Sequence, residues 1–374
     1  MRKIDFEVTS SRGRIQMFRL DRDRTPALFA VTTSVISGVI LVMLTKGLQA
    51  GISAGTTVIW SAAVAIACLA WFAAARRFGK PSPTAFLITS AFSQKYYVAA
   101  LIQRIHSALD RDNIDLALKV PDRDYDAGAQ AHHLRRILSK KRSYLGGIVI
   151  AGDVARLRDD LTRFCRELRL PVVFTDIEPF PAESDYPDNS AFVGYDTGEL
   201  GELAGQWLVR QLHGKKSPHV LIVASCEHSD RQRRCEKALR STLPDVRITI
   251  DEQGDFMRSR AYTATRTHLR HLEPRQHLDA IFCTNDEMAL GAVDALSASR
   301  SAATAATLVI GIDGVLEAKA LIDSGSSPFR ATVVQDTHRL AVATVDLLVK
   351  MHRGHTVPTR TILNAEVYSP APER

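Results

Sequence analysis

Residues 279–296, DAIFCTNDEMALGAVDAL, join a short and largely apolar run to a helix-like stretch, with the polar Asn285 at the junction. A brief apolar run bounded by turn signals fits a strand buried on both faces of a parallel sheet. Two further runs end the same way: TLVIGID, 307–313, finishes on Asp313, and ATVVQ, 331–335, finishes on Gln335. In open α/β sheets the ligand crevice lies beyond the carboxyl ends of the strands, so an amide, a carboxylate and a second amide converge on one cleft. This trio is rich in donors and acceptors but contains no nucleophile paired with a base and no soft metal ligand. It suits a ligand covered in hydroxyl groups.

Working back from these runs, strand-like and helix-like stretches alternate. Strands are expected at 84–89, 114–120, 147–150 and 171–175, with helices at 95–109, 127–140 and 154–168 between and after them. Val98, Leu101, Ile102 and Ile105 recur at helical spacing in the first of these helices. A loop at 177–190 with three prolines closes the first series. A second series runs through strands at 192–195, 219–224, 246–251 and 280–283 and helices at 199–212, 230–241 and 258–271. Repeated right-handed βαβ units imply parallel sheets, and two such series imply two Rossmann-like lobes with a ligand cleft between them. The first lobe is expected to comprise 84–192 plus 336–362 and the second 193–335 plus 363–374, so three chain crossings form the hinge.

The amino-terminal part differs in kind. The formal charge is +7, and the first 80 residues, with eleven Lys and Arg against four Asp and Glu, hold all of the excess. The remaining chain carries neither a basic stripe nor an aromatic-interleaved basic patch, which argues against nucleic-acid binding. Residues 25–45 and 47–75 are uncharged apart from Lys46 between them, each long enough to cross a hydrocarbon core of roughly 30 Å. The expectation is a basic tail at 1–24, two transmembrane helices at about 26–45 and 56–75 within 25–78, and a Pro/Gly linker at 79–83. Lys and Arg flank both outer ends of this hairpin, so the positive-inside rule places the large domain in the cytoplasm. A start at Met43 would instead leave a secretory leader ending near Ala73, Ala74 and Ala75 and deliver the domain outside. Five cysteines without close pairs read as free thiols, and His132 with His133 and His268 with His271 read as solvated helical surface, so no metal or cofactor is implied.

CTNDEMALGAVDAL, VIGIDG and ATVVQD, in this order and spacing, resemble the second lobe of type I periplasmic binding proteins, in the ribose-binding-protein-like branch for simple sugars. The resemblance spans residues 84–367. It implies that Asn285, Asp313 and Gln335 contact a sugar, and that Arg231 of DRQRRCEKAL grips it. It likewise implies Phe256 of QGDFMRSRAY as an aromatic facing the ligand, Tyr96 and Tyr97 of QKYY as the first-lobe aromatic pair, and Asp176 of PVVFTD as the acid that takes two hydroxyls. The chain departs from the family pattern at Lys95, Ile177, Arg234 and Cys235, which leaves the first-lobe half of the site less well marked. Aromatic rings covering the C–H faces of a pyranose and planar polar groups around its rim are the chemistry such a ligand needs.

Bland readings exist for all of these residues but Gln335, which is less easily explained as a cap. Asn285 and Asp313 fit helix caps, Tyr96 and Tyr97 a buried pair, Phe256 core packing, Arg231 a solvated basic turn beside Arg233 and Arg234, and Asp176 a loop carboxylate. No G-x-S-x-G, phosphate loop or H-E-x-x-H is present, and Ser225 with His228 has no identifiable acid partner, so an enzyme is not expected. With the expected membrane hairpin ahead of it, the resemblance implies a membrane-anchored sugar-binding protein that closes on a monosaccharide and serves an ABC permease. The alternative is a membrane-tethered sugar sensor with a cytoplasmic effector domain and a signalling partner.

Overall fold

The computed structural model describes residues 82–91, 96–272, 276–299 and 306–370, together with Ile66. Apart from Ile66, the expected tail and membrane hairpin lie outside these residues; among the described residues no helix is long and apolar enough to cross a membrane. The chain divides into two units at Pro81 and Ser82, and the second carries the α/β fold.

The first lobe runs β1 (Thr84–Ile88), α1 (Tyr96–Arg111), β2 (Asp115–Lys119), α2 (Ala127–Leu138), β3 (Gly146–Val149), α3 (Val154–Leu168), β4 (Val172–Thr175) and β5 (Ser190–Tyr195). The chain then crosses into α4 (Thr197–Leu212), β6 (His219–Val223), α5 (Ser229–Thr242), β7 (Arg247–Asp251), α6 (Arg258–Arg270) and β8 (Ala280–Cys283). The second lobe continues with α7 (Asp286–Ser299), β9 (Leu308–Asp313), α8 (Leu316–Asp323) and β10 (Phe329–Val334). A second crossing leads to α9 (Thr337–His352) and β11 (Arg360–Leu363), and a third to β12 (Glu366–Tyr368). Two six-stranded sheets result, ordered β11-β5-β4-β3-β1-β2 and β12-β10-β9-β8-β6-β7. Among the described residues these strands pair in parallel except β12 with β10.

The inner parallel strands β3, β4 and β8, covered by helices on both faces, bury every residue, which is why their sequences are apolar runs rather than alternations. Phe86, Phe174 and Phe192 are fully buried on one face of the first sheet, against α2 and α3, while Leu87, Val173 and Val193 on the other face join α1 and α9. Each such ring contributes about 1.5–3 kcal/mol by leaving water. Four helices open on an aspartate whose carboxylate accepts from the first turn: Asp126 before α2, Asp153 before α3, Asp196 before α4 and Asp336 before α9. Each cap is worth about 1 kcal/mol, and that of α3, Asp153, lines the cavity.

β5 extends through Tyr195 within the first sheet, so the first crossing falls three residues beyond the 192/193 boundary read from the sequence. The Tyr195 hydroxyl donates to the Asp336 carbonyl at 3.3 Å and links two of the three crossings. β12 was not expected: three residues paired antiparallel at an edge give too little pattern to read. His132 and His271 are exposed, as expected of solvated helical surface, whereas His133 and His268 are half-buried. His268 packs edge-on against buried His219, with ring centroids 5.0 Å apart, and His133 reaches the Val120 carbonyl at 3.0 Å.

Candidate functional site

A cavity of about 370 Å³ opens between the lobes at the carboxyl ends of both sheets. All eight residues singled out in the sequence, Tyr96, Tyr97, Asp176, Arg231, Phe256, Asn285, Asp313 and Gln335, line it.

Arg231 projects from the first turn of α5. Gly201 and Gly205 on α4 allow that helix to come close; a Cβ at Gly201 would run into the backbone of Arg231 itself. The guanidinium is buried, with 4% of the residue exposed, so a solvated basic turn does not describe it. Its Nη1 donates to the Thr284 carbonyl at 2.8 Å and lies 3.8 Å from Asp313 Oδ1, while its buried Nε has no hydrogen-bond partner. Asp313 ends β9 with φ 131°, a conformation uncommon for any side chain but glycine. It is held there from both sides. Gln335 donates its side-chain Nε2 to Asp313 Oδ1 at 2.8 Å and its backbone N–H to the Asp313 carbonyl at 3.1 Å. The next two backbone N–H groups, of Gly314 and Val315, donate to Asp286 Oδ2 at 2.7 and 2.9 Å, and Thr332 donates to Asp286 Oδ1. Gly311 leaves the space that Asp286 occupies. Asp286 therefore positions the Asp313 turn from behind the cavity wall.

Asn285 combines both of its readings. Its Oδ1 accepts from the Met288 N–H at 2.9 Å as a helix cap, leaving Nδ2 as the polar atom it can offer to the cavity. In the first lobe, Asp176 follows β4 with φ 71°. Burial pushes its carboxyl up, Arg231 pulls it down and Asp313 pushes it up again, to a pKa of about 7. Tyr97 is buried beside it, with its hydroxyl unpartnered and its pKa raised, first by burial and then by Asp176 and Asp313. Tyr96 is exposed at the rim.

Sequence reasoning missed Tyr125. It lies in the loop before α2, and its ring stacks on Phe256 from the other lobe, with centroids 4.8 Å apart and planes inclined at 28°. His228 closes edge-on against the same phenylalanine at 4.5 Å. Phe256 is thus packed, but as part of the cavity wall and of a contact across the cleft. Among the described residues eight non-glycine positions have positive φ, and four of them, Tyr125, Asp176, Phe256 and Asp313, line this one cavity. Such backbone costs of order 1–3 kcal/mol per residue and persists where surrounding structure enforces it, commonly at binding sites. The Ser225 hydroxyl accepts from the Phe256 N–H at 2.7 Å, and the His228 ring meets the Thr284 hydroxyl at 3.3 Å. No group of His, Cys, Asp and Glu among the described residues could hold a metal ion.

Two doubly wound lobes, joined by three crossings around a polar cavity, define a two-lobe ligand-binding protein of α/β class. The chain belongs to the periplasmic binding proteins: the family model described as "Periplasmic binding protein domain" matches residues 85–356. It is similar to the galactofuranose-binding protein YtfQ of Escherichia coli K12, with 24% identity over 249 residues, covering 64% of this chain and 75% of the relative. Its fold is similar to that of an ABC transporter periplasmic solute-binding protein from Actinobacillus succinogenes with bound D-allose. The TM-score is 0.68 at 21% identity, covering 77% of this chain and 97% of the other. An ABC transporter solute-binding protein from Bacillus halodurans with bound myo-inositol gives a TM-score of 0.67 at 18% identity, covering 78% and 96%.

Proposed function

We propose that this protein captures a monosaccharide or a similar cyclic polyol by closure of its two lobes, and that it serves as the substrate-binding component of an ABC-type uptake system. The observation that carries this reading is the cavity wall. Asp176, Arg231, Asn285, Asp313 and Gln335 offer planar polar groups around a rim, and Tyr96, Tyr97, Tyr125 and Phe256 offer apolar faces. A ring of hydroxyls with C–H faces matches both. The relatives support the class, since those named bind galactofuranose, allose or myo-inositol. They also support placement in the simple-sugar, ribose-binding-like branch.

Closure works by differential affinity: a guest touching groups on both lobes favours the closed state only by what it gains there. Tyr97 and Asp176 lie on one side, Arg231 and Asp313 on the other, and Gln335 stands in a crossing, so one ligand can reach all three parts. The uncharged segments at 25–45 and 47–75 support a tether that keeps the binding unit at the membrane surface beside its permease. Family membership favours the envelope side for that unit. Isothermal calorimetry of the purified full-length protein against pentoses, hexoses and cyclitols tests the reading. Saturable one-to-one binding of at least one polyol is expected, and a flat response across the panel overturns it.

A further inference from the structure

The cavity carries more negative charge than a neutral guest can use. Among the described residues its wall holds the carboxylates of Asp153, Asp176, Glu227, Glu287 and Asp313 and one guanidinium, that of Arg231. Asp153 and Asp313 have partners that explain them. Asp153 caps α3 and meets Arg156 at 3.2 Å, and Asp313 takes the Gln335 amide and lies nearest Arg231. Arg231 is further committed to the Thr284 carbonyl. Asp176 differs: it receives no hydrogen bond and no ion pair within 4 Å from a described residue, although it sits deep enough for burial to dominate its titration.

The surroundings of Asp176 are aromatic. Tyr97 and Tyr125 both feel its charge, and Tyr125 carries the Phe256 ring stacked on it. The Tyr97 hydroxyl, on a residue only 8% exposed, has no hydrogen-bond partner and belongs to the same wall. A lone carboxylate among aromatic rings and an unsatisfied hydroxyl is the environment that recognises an ammonium group. The carboxylate supplies a charge-assisted hydrogen bond, and the ring faces attract a cation by their quadrupoles.

We propose that the cavity selects a hydroxylated ligand bearing a protonated amino group, an amino sugar or amino cyclitol, with its ammonium seated at Asp176 among Tyr97, Tyr125 and Phe256. This rests on the polyol-binding reading above and narrows it. The hydroxyl rim of such a ligand meets Asp313, Arg231, Asn285 and Gln335, while its amine supplies the positive charge that the first-lobe half of the wall lacks. A neutral sugar leaves Asp176 to be satisfied by a hydroxyl alone, while Arg231, whose charge reaches it, is already committed to the Thr284 carbonyl and lies nearer Asp313.

The test is calorimetry on the full-length protein with matched sets: a sugar or cyclitol, its amino-deoxy counterpart at each ring position, and the N-acetylated form, which removes the charge and keeps the nitrogen. One amino compound is expected to bind at least about tenfold tighter than both its hydroxyl and its N-acetyl counterpart. In Asp176→Asn, with thermal unfolding checked alongside, that preference is expected to disappear. Equal or tighter binding of the neutral members by the wild-type protein overturns the inference and leaves the polyol reading standing, and this comparison needs no variant. Survival of the amine preference in Asp176→Asn also overturns it. Failure of every compound to bind removes both.

Discussion

Replacing Asp313 with asparagine separates charge from shape at the centre of the site. Asparagine tolerates the positive φ of this position about as well as aspartate does, and its carbonyl can still accept from Gln335 Nε2. What disappears is a negative charge 3.8 Å from Arg231 Nη1. A hydrogen bond to a charged group is worth about 1.5–3 kcal/mol and one between neutral groups about 0.5–1.5, so a ligand hydroxyl held by Asp313 loses roughly 1–1.5 kcal/mol, about tenfold in affinity. Stability should move the other way. Asp286 is fully buried behind Asp313, and both burial and the Asp313 charge push its carboxyl upward; removing that charge relieves the repulsion. Asp176 gains as well. Its folded pKa, about 7, lies above the ordinary 3.8, so its contribution to stability is complete below pH 3.8 and lost as pH rises through about 7. Without Asp313 the folded pKa falls and that loss becomes shallower. Calorimetry with whichever polyol binds best and thermal melts of the ligand-free protein between pH 4 and 8 read both effects. Unchanged affinity, or a ligand-free variant that melts well below the wild type at pH 7, would refute the reasoning.

Three further outcomes are expected. Gly201→Ala should weaken ligand binding although Gly201 itself does not line the cavity, because the added methyl pushes the Arg231 backbone off α4; unaltered affinity in a folded variant would show that this close approach does not position the arginine. His268, whose pKa burial and His219 lower to about 4, holds a neutral ring in the folded state, so stability present above its ordinary 6.5 should be lost as pH falls toward 4. His268→Phe should flatten that acid limb, and an unchanged limb would remove His268 as its source. Of the four cysteines among the described residues, Cys226 is exposed while Cys165, Cys235 and Cys283 are buried. A membrane-impermeant thiol reagent should therefore label Cys226 in intact cells if the binding unit faces outward, and bound ligand should slow the reaction, since Cys226 lines the cavity. Labelling only after lysis would contradict uptake and favour the cytoplasmic sensor.

The polar ends of three apolar runs were enough to place Asn285, Asp313 and Gln335 in one cleft, because a buried parallel strand leaves its carboxyl-terminal residue at the crevice wherever its sequence lies. Arg231, Phe256 and Asp176 came from the resemblance, since nothing in their local pattern separates a cavity arginine from a basic turn or a cavity phenylalanine from core. The residues that stayed hidden are those whose role depends on contacts distant in sequence. Tyr125 stands in DRDYDAG, which reads as a turn, and acquires meaning only through Phe256 of the other lobe. Asp286 follows Asn285 directly, yet its work is to hold the Gly314 and Val315 amides. Asn285 shows why capping and binding were hard to tell apart: one end of its amide caps α7 and the other is left for the cavity.

If the lobes close over the guest, the Tyr125–Phe256 stack, which already spans the cleft, is the contact that seals it. Small-angle X-ray scattering of the full-length protein with and without saturating polyol addresses closure directly. A smaller radius of gyration is expected with ligand, and a ligand-free Tyr125→Ala variant more open than the wild type. Saturation in calorimetry with scattering curves that superimpose, in wild type and variant alike, would contradict closure.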